Sequence, residues 1–134
     1  MLLFLLGVVV LSALLVAVVV DTSTLFLARM QLMSAADGAA ISAAQAVDQR
    51  VLYTQPASGA LPLDPTLVDE AVTRYLAIDG DRDVEVVSVT TDGTTVRVAF
   101  RRQVQLPFVN LITFGTRGSV TVDADAAAES PFVP

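Results

Sequence analysis

The sequence predicts an α+β protein: a long N-terminal hydrophobic α-helix of about 50 residues, a short second helix and a three-stranded antiparallel β-sheet. Three observations predict it. Residues 1–20 carry no charge, and all 22 charged residues lie from Asp21 onward. No proline interrupts the chain before Pro56. Beyond residue 83, Val- and Thr-rich runs alternate apolar with polar and flank an Asp-Gly pair.

The apolar run reads MLLFLLGVVVLSALLVAVVV, with Ser12 its one polar side chain. Twenty residues of helix span about 30 Å, the hydrocarbon thickness of a bilayer. In lipid the backbone must bond to itself, so a helix is expected. A secretory signal peptide needs a basic leading region and a shorter apolar core. The run is therefore read as a transmembrane or filament-core segment.

The helix is expected to continue to about residue 52, roughly 75 Å in all at 1.5 Å per residue. Leu25, Ala28, Leu32, Ala35, Ala36, Ala39, Ala43 and Ala46 mark one face at helical spacing. Seven of the twelve residues from Ala35 to Ala46 are alanine, the best helix former. Residues 54–65 hold three prolines and one glycine and read as a loop. Asp64-Pro65 looks like an N-cap followed by the first helical residue. Leu67, Val68, Ala71, Val72, Tyr75 and Leu76 are the expected buried face of this second helix, which stops near Asp79-Gly80.

Strands are expected at 83–91, 94–106 and 119–127. A two-residue Asp92-Gly93 turn would set Thr91 opposite Thr94, Val89 opposite Val96 and Val87 opposite Val98. Val87, Val89, Val96, Val98, Phe100, Val104 and Leu106 then share the inner face. Val120, Val122 and Ala124 do so on the third strand. Between the second and third strands, residues 106–118 are unusually apolar. They are either a cover for the sheet or an exposed assembly patch of Phe108, Leu111, Ile112 and Phe114. The division is thus a helix, 1–52, and a small α+β domain, 53–134.

Composition excludes much chemistry. The net charge is −6, which repels phosphate, so no nucleic-acid partner is expected. With no Cys and no His, disulfides, thiolate zinc sites and His-dependent catalysis fall together. The glycines are too scattered for a phosphate loop. Asp123 and Asp125 lie two apart on one strand and read as a solvated face. Neither an enzyme nor a cofactor is expected. Asp79, Asp81 and Asp83 open like a calcium-binding loop, but its sixth position is Val84 and its twelfth Thr90, where glycine and glutamate are needed. A solvated turn is the preferred reading, and no metal is expected. Asp21 and Arg29, about 12 Å apart along one helix, cannot pair within it. Either each is merely interfacial, or each meets an opposite charge on another helix. Ala35, Ala36, Ala39 and Ala43 form the expected close-packing surface.

One pattern is specific. Val20-Asp21 is followed by Leu27-Ala28-Arg29-Met30-Gln31-Leu32, by Ala35-Ala36-Asp37-Gly38-Ala39-Ala40 and by Ala43-Ala44-Gln45-Ala46. It resembles the N-terminal region of TadE/TadG-like proteins of the tight-adherence (Tad/Flp) pilus, within the type IV filament superfamily. The resemblance covers about residues 1–48. Beyond it, only the architecture looks like that of a pilin or pseudopilin. The resemblance implies a pilin or minor pilin of a bacterial extracellular filament, assembled by bundling its helices with other copies of itself. It also implies residence in the inner membrane before assembly, with the pilus assembly machinery and a prepilin peptidase as partners. The alternative is a single-pass membrane-anchored accessory protein that does not polymerise. Leu5 departs from the pattern, since type IV pilins usually carry glutamate at the fifth mature position.

Overall fold

The structure is a computed structural model, which describes residues 1–54, 63–79, 83–93, 95–112 and 118–129. Helix α1 runs Leu2–Thr54 without a break, as the absence of proline and the alanine-rich second half require. Helix α2 is Pro65–Asp79 and α3 is Pro107–Ile112. Strands β1 (Val84–Thr91), β2 (Thr95–Gln105) and β3 (Ser119–Glu129) form one antiparallel sheet in the order β1-β2-β3.

α2 begins as its sequence dictates. The Asp64 side chain accepts from the backbone N–H of Thr66 at 2.9 Å and from its hydroxyl at 2.7 Å, an N-cap ahead of Pro65. These two bonds, the hydroxyl's first, hold the Asp64 carboxyl below its ordinary pKa. The Leu63 N–H donates to the Gly93 carbonyl at 3.4 Å and ties the start of α2 to the β1–β2 turn.

The turn differs from the expected tight hairpin. Thr91 stands opposite Val96, and Val89 opposite Val98. The Asp92 carboxylate accepts from the Thr95 N–H at 2.8 Å, and Gly93 adopts φ 95°, so the connection is longer than two residues. The slip is by two, which keeps Val96, Val98 and Phe100 on the inner face. Val87 also departs from the expected inner face. A bulge between Val86 and Ser88 leaves it out of the pairing register, and it is 48% exposed rather than inward.

The core lies between the sheet, α2 and the second half of α1. Leu32, Ala36, Ala39, Ala40 and Ala43 of α1 pack with Val68 and Val72 of α2 and with Val96, Val98, Phe100, Ala124 and Ala126 of the sheet. The packed unit therefore draws in α1 from about Ala28 to Ala44. A chain starting near Asp48 would lack one wall of that core. Gly38 leaves room for Tyr75 of α2: a Cβ there would collide with the Tyr75 hydroxyl oxygen and stand 2.8 Å from its Cζ.

Candidate functional site

The first half of α1 projects from this core. Residues 2–16 are all exposed, and the helix is long and apolar enough to cross a membrane, with none of its most apolar window buried in the fold. Its few hydroxyls are turned back on the helix. Ser12, Thr22, Ser23 and Thr24 donate to the carbonyls of Val8, Val18, Val19 and Val20 at 2.8–2.9 Å.

At the end of the charge-free run stands Asp21, half-buried. Its two carboxylate oxygens accept from the backbone N–H groups of Phe108 and Val109, each at 3.2 Å. A helix supplies no acceptor of its own to the donors of its first turn, and these two belong to the first turn of α3. Pro107 provides the first helical residue, but Leu106 stands where a local cap would be and has no side-chain acceptor. Asp21 supplies the cap from 87 residues away. Nothing in the charge pattern announces this contact. Its signal is a proline-started helix with no Ser, Thr, Asp or Asn before it.

Arg29 lies further along α1, exposed, and makes no ion pair or hydrogen bond among the described residues. It borders an open hollow of about 480 Å³ with Phe26, Thr121 and Asp123. A larger groove of about 730 Å³ lies between α1 and β2, lined by Leu27, Gln31, Glu85 and Arg102 among others. On the solvent face Arg101 pairs with Asp123 across β2 and β3 at 2.7 Å, and this bond holds the guanidinium above its ordinary pKa.

The alanine face of α1 lies inside the chain's own fold. Ala35, Ala36, Ala39 and Ala43 are at most 7% exposed, against the sheet and α2. The opposite face of α1 shows Phe26, Leu27, Met30, Met33 and Ile41, each 46–64% exposed. Of the apolar patch, Phe108 is half-buried and lies on α3 beside Asp21. Leu111 and Ile112 close that helix, though their side chains, like the whole of Phe114, lie outside the described residues. Asp81 and the Asp79 side chain lie outside them too, while Asp83 is exposed and 3.9 Å from Arg102. Among the described residues no group of three or more acidic side chains converges as a metal site does.

Fold and boundary together define a class: a small α+β domain carried on an apolar helix long enough to cross a membrane. Residues 1–46 match the family model described as "Putative Flp pilus-assembly TadE/G-like". The chain is thus TadE/TadG-like over its N-terminal third, and the resemblance read from Asp21, Arg29 and the alanine pairs falls within the matched segment. No curated protein and no solved structure matches the chain.

Proposed function

We propose that the protein is a structural subunit, pilin or minor pilin, of a Tad-type extracellular filament. In this reading residues 1–20 hold it in the inner membrane before assembly and bundle with the same segment of other copies afterwards. It has no catalysis of its own. The supporting observation is the split character of α1, whose residues from about Ala28 to Ala44 pack one face into the core while its first half projects from it. Burying one Leu, Val or Phe is worth about 1.5–3 kcal/mol. Residues 1–20 hold fifteen of them, so tens of kcal/mol favour removing this half from water. That exceeds the roughly 5–15 kcal/mol stability of a whole domain, so where the segment is buried decides where the protein resides.

Arg29 favours the filament, since it is a cation with no partner among the described residues on the helix that would bundle. Pairing with Asp21 of a neighbouring copy, staggered by about 12 Å, is part of the proposal. The second reading, a membrane-anchored accessory protein that does not polymerise, is favoured by Asp21, whose carboxylate is already engaged by α3.

The test is negative-stain microscopy of sheared surface material, with antibody labelling and mass spectrometry of the protein's N-terminus. Labelled filaments support the first reading. Protein confined to the membrane fraction, beside unlabelled filaments, supports the second. Within the first, Arg29→Glu should reduce filament yield sharply.

A further inference from the structure

The Asp21–α3 contact fixes α3 at one height along the long helix. Twenty uncharged residues reach about 30 Å, so Asp21 stands where the hydrocarbon of a spanned bilayer ends. Both oxygens of its carboxylate touch the first turn of α3, so α3 stands there too.

The apolar surface continues past that height. The hydroxyls of Thr22, Ser23 and Thr24 are bonded back to α1. Phe26 and Leu27 are 64% and 58% exposed, roughly 8 Å beyond Asp21 along the helix. The next charge is Arg29, whose long side chain can reach out to water. α3 reads Pro-Phe-Val-Asn-Leu-Ile, with one polar residue and no charge. At such a depth two first-turn N–H groups are costly without an acceptor, and a carboxylate is costly without donors. The two answer each other, as charge-assisted hydrogen bonds.

We propose that α3 is a second membrane contact, a short interfacial helix that lays Phe108 and Val109 into the headgroup region of the bilayer crossed by residues 1–20. This rests on the reading that residues 1–20 lie in lipid before assembly. The occupant is lipid because the contact is continuous with the span itself. α3 would hold the domain against the bilayer at a set angle, by a buried depth of about 5–10 Å.

The chain has no Trp, so a single introduced indole reports its own depth. Four full-length variants serve: Phe108→Trp, Val109→Trp as a second α3 reporter, Leu11→Trp as the span reporter, and Asp69→Trp, on the exposed face of α2, as the domain reporter. Each is reconstituted in phosphatidylcholine–phosphatidylglycerol vesicles carrying a nitroxide either at the headgroup or deep in the acyl chain. Circular dichroism checks that each is folded. At least one α3 reporter should be quenched by the headgroup label about twofold or more above the domain reporter, and less by the deep label than the span reporter. Quenching of both α3 reporters no stronger than that of the domain reporter, with the span reporter quenched by the deep label, overturns the proposal and leaves the span intact. The same holds if their emission responds to protein dilution but ignores the nitroxides, since a second copy then covers α3. Absence of deep quenching at the span reporter overturns the span reading, and the α3 proposal with it.

Discussion

The two halves of α1 are one continuous helix by backbone and two different objects by side chain. Before Asp21 the helix carries Leu, Val and Phe on every side, and none of its most apolar window is buried in the fold. From Ala28 to Ala44 it carries small side chains on one face, and that face lies against β2, β3 and α2. Large apolar groups all round suit an environment without fixed shape, whether lipid or a bundle. Alanine and glycine suit a fixed surface that must come close. The helix is thus both projecting apolar segment and core element, and substitutions of one kind should have very different consequences at its two ends.

The largest contrast is expected on removing a side chain. Leu32 is 1% exposed in the core, so Leu32→Ala should cost about 2–5 kcal/mol of domain stability. Leu11 is 60% exposed, and Leu11→Ala should stay within about 0.5 kcal/mol. Denaturant unfolding of the full chain in detergent micelles, followed by near-UV circular dichroism, measures both. Equal effects would remove the distinction between the halves.

Adding volume gives the next contrast. Ala39 and Ala43 are fully buried, and replacing either with Leu should overpack the helix against the sheet by about 1–3 kcal/mol. Ala13→Leu, on the projecting half, should leave the melting of the domain where it was.

The sequence carried the long apolar helix, the short second helix and the strand set because each rests on local signals: charge absence, proline spacing, two-residue alternation. Capping at Asp64 was legible for the same reason. What local pattern cannot carry is contact across the chain. Alanine spacing marks a face but not its partner, so Ala35, Ala36, Ala39 and Ala43 could equally have met a neighbouring helix. The hairpin register slipped by two because the Asp92 carboxylate, bonded to Thr95, lengthens a turn that the Asp-Gly pair alone makes tight. Asp21 suggested a partner of opposite charge, and its in-chain partners are backbone N–H groups, which no charge pattern displays.

A smaller effect with a change of sign sharpens the core half further. Gly38→Ala raises helix propensity by about 0.8–1 kcal/mol, but the new methyl would collide with the Tyr75 ring. In the wild-type background the two oppose, and the variant should be no more stable than the parent. In a Tyr75→Ala background the collision is gone, and Gly38→Ala should stabilise by about 1 kcal/mol. The four proteins form a double-mutant cycle, and a coupling near zero would mean that Gly38 is not held by Tyr75.

The smallest effect concerns acid, and it should separate the domain from the anchor altogether. The hydroxyl and N–H of Thr66 lower the folded pKa of Asp64 below its ordinary value of 3.8. A depressed carboxyl contributes stability that is present above the unfolded pKa and is lost as pH falls through the folded one. Between neutral pH and about 4 its contribution should therefore be flat, with decline only in stronger acid. Asp64→Asn keeps an oxygen that can accept from the Thr66 N–H, and asparagine caps as well as aspartate. At neutral pH the variant should melt close to the parent. In strong acid it should lose less than the parent does, because nothing at residue 64 is left to protonate. Melting curves of both proteins at neutral pH and in strong acid test this. Parallel losses across the two conditions would show that Asp64 is not a source of the acid sensitivity. The charge-free residues 1–20, with no side chain to titrate, should hold their helix signal throughout.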